Sequence, residues 1–88
     1  MNKSNHVIMG IHIQDRVKQA PEVQKLLTDY GCYIKTRLGL HEADDDVCAA
    51  NGLILLELVG DQSKSDDLAA KLNSYDGVDA QKMIFVHD

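Results

Sequence analysis

The chain has 88 residues, the length of one small domain. At that size folding buries only about 60% of the surface an unfolded chain exposes, so the core is thin. A hydrophobic share of 44% and a charged share of 26% exclude a disordered chain, a collagen and a coiled-coil rod. Nine Lys+Arg against fourteen Asp+Glu give a net charge of -5 with no basic cluster, so direct binding to nucleic acid is not expected. The densest charge run, Asp44-Asp45-Asp46, would repel a phosphate backbone.

Residues 1–5 carry no apolar stretch that would serve as a signal peptide, and they read as a disordered tail ahead of a single domain over 6–88. No apolar run is longer than four residues, as in Leu53-Ile54-Leu55-Leu56, which is far too short to span a bilayer, so no membrane partner is expected and the cytoplasm is the expected location. Cys32 and Cys48 show no C-x-x-C spacing, and a reducing compartment argues against a disulfide between them.

In residues 6–14 the pattern has period two. Val7, Met9, Ile11 and Ile13 fall on one face, and His6, Ile8, Gly10 and His12 on the other, as in a half-covered strand. Val23, Leu26, Leu27 and Tyr30 then recur at helical spacing, with Val17 extending the stripe backwards. Gly31 supplies the stop, and Pro21 is expected in the first turn, where its missing N–H costs nothing. Residues 32–40 alternate again: Cys32, Ile34, Thr36, Leu38 and Leu40 on one side, Tyr33, Lys35, Arg37 and Gly39 on the other.

A polar, acidic loop over 41–51 leads to a nearly continuous apolar strand over 53–59, interrupted only by Glu57, which reads as central in a sheet. The second helix is expected to start at Ser63 or Ser65, with Asp66 and Asp67 in its first turn facing the helix dipole. Leu68, Leu72 and Tyr75 mark its buried stripe, Gly77 ends it, and residues 78–86 form the last strand.

Two strand–helix–strand halves, each with a tyrosine and a glycine after its helix, give an α+β, ferredoxin-like βαββαβ fold. Its four-stranded antiparallel sheet has the order fourth, first, third, second, and both helices lie on one face. The other face is left without helices, yet it is expected to carry Ile8, Gly10, Tyr33 and apolar groups of the third strand. Such a patch marks an interface, so a homo-oligomer, dimer or tetramer, is expected.

The histidines are the most suggestive polar residues. His12 and His41 close the first and second strands at one end of the sheet, about 10 Å apart, or two strand spacings. A metal, bound at about 2 Å from each ligand, would not bridge them inside one subunit but would do so between subunits. His6 and His87 are placed to meet as a cross-strand pair. Cys32 reads as a small core residue, Cys48 as a loop residue, and Asp44, Asp45 and Asp46 lack calcium-loop spacing. Glu57 needs a partner, for which Arg37 or Lys35 is placed. No phosphate loop and no nucleophile with a base at recognisable spacing is present, so the chain reads as non-enzymatic, with no cofactor indicated. The candidate ligand-binding residues are His12, Arg37 and His41, with Arg37 holding an anionic group.

Asp15-Arg16, Val23-Gln24, Leu27-Thr28, Tyr30-Gly31, the segment Ile34-Lys35-Thr36-Arg37-Leu38-Gly39-Leu40-His41, Asn51-Gly52-Leu53-Ile54 and Leu56-Glu57-Leu58 together resemble the iron-only hydrogenase system regulator family. The resemblance runs from His6 onward and is most specific over residues 34–41. It implies an ACT-like domain, similar to the C-terminal regulatory domain of the nickel-responsive repressor, that self-assembles and senses a ligand near hydrogenase maturation. This sequence has no His-x-His pair followed by a cysteine, so nickel sensing does not carry over. Five residues precede the first expected strand, so an effect on transcription is expected to need a protein partner. A metal-binding (Ni/Zn) sensor or chaperone with His and Cys ligands at subunit interfaces is the alternative, followed by a small enzyme and a bare adaptor.

Overall fold

The odd-numbered side chains from Val7 to Ile13 are all apolar, and the strand that carries them takes a central place in the sheet. A computed structural model describes residues 6–14, 16–40 and 52–86, with backbone alone for residues 16–19 and 40. The elements are β1 (His6–Ile13), α1 (Arg16–Asp29), a 3-10 turn at Gly31–Tyr33, β2 (Ile34–Leu40), β3 (Gly52–Leu58), α2 (Gln62–Asn73) and β4 (Val78–Phe85). The strands pair antiparallel in the order β2-β3-β1-β4. This is the expected ferredoxin-like order. No helix among the described residues is long and apolar enough to cross a membrane.

One face of the sheet carries the core. Val7, Met9, Ile11 and Ile13 of β1 and Ile54, Leu56 and Leu58 of β3 are buried against Val23, Leu26, Leu27 and Tyr30 from α1 and Leu68, Ala69 and Leu72 from α2. Fully burying an aliphatic side chain of this size contributes about 1.5–3 kcal/mol, which is the main force holding both helices to the sheet.

Five local expectations change. Helix α1 begins at Arg16, so Pro21 lies inside it rather than in its first turn. The proline nitrogen forfeits its bond to the carbonyl of residue 17, and burial of the stripe that follows outweighs the loss. Helix α2 is capped by Asp61, not by a serine: Ser63 N donates to Asp61 Oδ1 at 3.0 Å. Asp66 and Asp67 therefore sit beyond the first turn. Cys32 lies in the 3-10 turn and is exposed, because that turn interrupts the alternation on which a core position was based. Tyr33, expected on the helix-free face, packs partly buried against the core.

The fifth change is a register shift in β2 between Ile34 and Thr36. Ile34 stands opposite Leu58 and faces the core, whereas Thr36 stands opposite Glu57 and faces away from it. The extra residue, Lys35, reverses the facing of everything after it, as a bulge does. Arg37, opposite Leu56, consequently lies on the helix side, where its Nη2 donates to Gln24 Oε1 of α1.

Two polar contacts tie one element to another. The Tyr30 hydroxyl at the end of α1 donates to Asp67 Oδ2 of α2. It is the largest cause holding the Asp67 carboxyl below the ordinary carboxylate range, and the Lys71 ammonium, 3.5 Å away, adds to it. Asn73 at the end of α2 bonds twice to Ala80 of β4: Ala80 N donates to Oδ1 at 2.7 Å and Nδ2 donates to the Ala80 carbonyl at 3.0 Å. Between Asn73 and Ala80, Gly77 turns the chain with φ +78°, a conformation open to glycine at little cost.

Two predictions follow from these ties. A carboxyl whose value is lowered on folding adds stability above its unfolded value and loses it as pH falls through the folded one. Tyr30→Phe therefore melts below the wild type at neutral pH, and the gap narrows as pH drops below about 4; a gap independent of pH in thermal melts would contradict the tie. Asn73→Ala is expected to lower unfolding free energy by about 1–2 kcal/mol in urea titrations, because it strips both partners from one backbone unit.

Candidate functional site

Even-numbered side chains of β1 and their cross-strand partners form a two-dimensional array on the helix-free face. One row holds Leu53, His12 and Asp79 from β3, β1 and β4. The next holds Leu38, Leu55, Gly10 and Gln81, and the third Thr36, Glu57, Ile8 and Met83. His6 and Phe85 begin a fourth. Leu38 is 52% exposed, Met83 57% and Phe85 52%, values that would be unusual for such groups if they were scattered core residues. Here they are contiguous.

Gly10 is the lowest point of this surface. It sits in mid-strand, does not have a positive φ, and a Cβ built on it would meet only Leu55 Cδ2, at an ordinary 3.7 Å. Alanine would fit the isolated chain, and glycine inside a strand costs about 0.5–1 kcal/mol relative to it. A glycine kept at such a place commonly allows a ligand or another backbone to approach. Around it lies an open depression of about 230 Å³ lined by Gly10, His12, Leu53, Asp79 and Gln81.

The rim is polar on the β4 side and apolar on the β3 side. Gln81 Nε2 donates to Asp79 Oδ2 at 3.0 Å, which orients the carboxylate and leaves Oδ1 and the Gln81 carbonyl to accept from an occupant. The site can bind and orient a small molecule that has donors on one side and an apolar body on the other.

Of the residues expected to bind a ligand, His12 lies on this rim. Arg37 does not, since the bulge places it across the sheet, hydrogen-bonded to Gln24. One subunit therefore does not join His12 and Arg37 around one small ligand. His41, Cys48, His87 and Asp44 to Asp46 lie outside the described residues. Glu57 finds neither Arg37 nor Lys35; Thr36 Oγ1 donates to its Oε1 at 3.2 Å, again because of the bulge. Among the described residues no three His, Cys, Asp or Glu side chains cluster to hold a metal ion.

Asp79 and Gln81 were missed in the sequence, although the alternation of Asp79, Gln81, Met83 and Phe85 along β4 would have put them on this face. Pairing β4 with β1 then sets Asp79 beside His12.

No family model matches the chain, and no curated protein does. Among solved structures the chain is similar to the uncharacterized protein TM1266 from Thermotoga maritima, with a TM-score of 0.80 and 24% identity over 93% of this chain and 98% of that one. A dimeric ferredoxin-like protein from an uncultured marine organism aligns with a TM-score of 0.45 and 7% identity, over 98% of this chain and 96% of that one. The first likeness, with the strand order, shows an α+β ferredoxin-like fold.

Proposed function

We propose that this chain is a small, non-enzymatic ligand-sensing module that works as a homo-oligomer, with the helix-free face of one copy packed on that of another. The observation that carries this reading is the contiguous apolar array of Leu38, Leu53, Leu55, Ile8, Met83 and Phe85 on a face that no helix covers. A second copy is favoured by the pattern of charge. A two-fold axis running in the interface along the Gly10 row reverses the rows, so the Glu57 row of one copy lies over the His12 row of the other, with Ile8 over His12 and the Glu57 carboxylate about one strand spacing, 4.8 Å, to the side of that imidazole. The same axis sets the two Gly10 backbones where the sheets come closest.

In such a pair the Gly10 depression is roofed by the partner. A small molecule seated against His12, Asp79 and Gln81 binds the paired state better than the open one, and that difference shifts the assembly equilibrium. The resemblance to iron-only hydrogenase system regulators supports placing this response in hydrogenase maturation or its transcriptional control, through a protein partner.

Leu38→Glu tests the reading. Leu38 is half exposed and outside the core, so the variant keeps its subunit fold, while a carboxylate in an apolar interface weakens pairing at least about tenfold, or 1.4 kcal/mol. Sedimentation velocity on tag-free protein is expected to show the wild type as an oligomer and the variant as a smaller species. A wild-type monomer, or a variant that assembles equally well, would refute the face interface. Native mass spectrometry of the wild type is expected to show added mass that Gly10→Val abolishes.

A further inference from the structure

We infer that the outer edge of β4 is a second pairing surface, and that its occupant is β4 of another copy, antiparallel and centred on Ile84. The argument starts from the direction of backbone groups. Gln14 N donates to the Gly77 carbonyl at 2.8 Å, which makes 14 and 77 a hydrogen-bonded pair, and the β1–β4 register continues from it without a break. Such pairs alternate along an antiparallel ladder. Residues 79, 81, 83 and 85 thus bond inward to β1, and the N–H and C=O groups of Val78, Ala80, Lys82 and Ile84 point outward.

Ala80 confirms this alternation, because both of its outward groups are taken by the Asn73 side chain. Lys82 is next, its ammonium held by Asp66. From Met83 onward no comparable cover exists among the described residues. Instead Met83, Ile84, Phe85 and Val86 are all exposed, with Val86 at 72%.

Natural sheets usually protect their edges with bulges, charges or a covering side chain. The other edge of this sheet follows that practice, with the bulge at Lys35 and the cations Lys35 and Arg37 in β2. The far end of β4 and Val86 after it do the opposite, presenting four consecutive apolar residues beside outward-facing backbone groups.

A second copy fits this edge in one register particularly well. Centred on Ile84, an antiparallel pair sets Ile84 opposite Ile84 and Met83 opposite Phe85 of the other copy, twice. Lys82 falls opposite Val86, so no like charges meet. Centring on Lys82 instead would oppose two ammonium groups. The pair satisfies the outward groups of Ile84 and joins two sheets into one of eight strands. It goes beyond the face interface and does not depend on it, because Ile84 stands opposite Val7 on the helix side of the sheet.

The test is by mass in solution, using native mass spectrometry and sedimentation of the full chain. With both interfaces present the wild type is a tetramer. Ile84→Glu, and separately Ile84→Lys, are each expected to halve that mass, because each opposes two like charges. An equimolar mixture of the two variants is expected to regain it, because glutamate then faces lysine. Ile84→Pro removes an outward N–H that the internal ladder does not use, and is expected to halve the mass even if the charged variants fold poorly. Wild-type mass in all three variants overturns the edge pairing, as does a mixture that fails to reassemble. Leu38→Glu separates the two interfaces. If it leaves the mass unchanged while Ile84→Glu halves it, the face reading falls and the edge pairing stands; the reverse pattern overturns the edge pairing alone.

Discussion

Among the described residues, all the burial happens on one side of one sheet. Two helices and four strands supply a single layer of side chains between them, and Met9, Ile11, Leu27, Leu56, Leu68 and Leu72 fill it almost without exposure. A βαββαβ chain has no third layer to cover the reverse side. Whatever sits there must tolerate water or be covered from outside, and this chain puts leucine, isoleucine, methionine and phenylalanine there. The shape of the candidate site, its shallow floor at Gly10 and its mixed rim all descend from that one-sided construction.

Much of this was legible in the sequence because it rests on periodicity. Period two in β1 and the apolar run in β3 mark the central strands, and the spacing of Val23, Leu26, Leu27 and Tyr30 marks the first helix face. From these the strand order and the uncovered face follow. The site was less legible for a specific reason. A bulge leaves the apolar pattern of β2 nearly intact while reversing which side it faces, so Arg37, read as a neighbour of His12, lies across the sheet from it. Caps were misread by a similar margin: Asp61, Ser63 and Ser65 are all competent to cap, and only backbone geometry at Asp61, extended at φ -72° and ψ 128°, selects one.

The polar ties have a different logic from the core. Tyr30 to Asp67 and Asn73 to Ala80 both join the end of one helix to another element, the first across 37 residues of chain and the second across seven. Neither excludes much water. Each fixes position: the first sets one helix against the other, and the second sets α2 against the sheet edge. Polar contacts of this kind add modest free energy and a large gain in uniqueness, since an apolar layer alone would accept small sliding motions. The rim of the Gly10 depression benefits, because Asp79 and Gln81 flank the residue that Asn73 clamps.

The Asn73 side chain also sets a limit on growth. Its amide is chemically a peptide unit, and in binding both groups of Ala80 it acts as a strand one residue long. Any chain that lengthens the sheet at this edge must stop where Asn73 begins. With the opposite edge kinked and cationic, a copy joined at β4 leaves no free, flat border for the next. Sheets that can extend at both borders grow into filaments. Paired as inferred at β4, this one would close after a single addition, which would let a small chain expose an apolar strand end without seeding fibres.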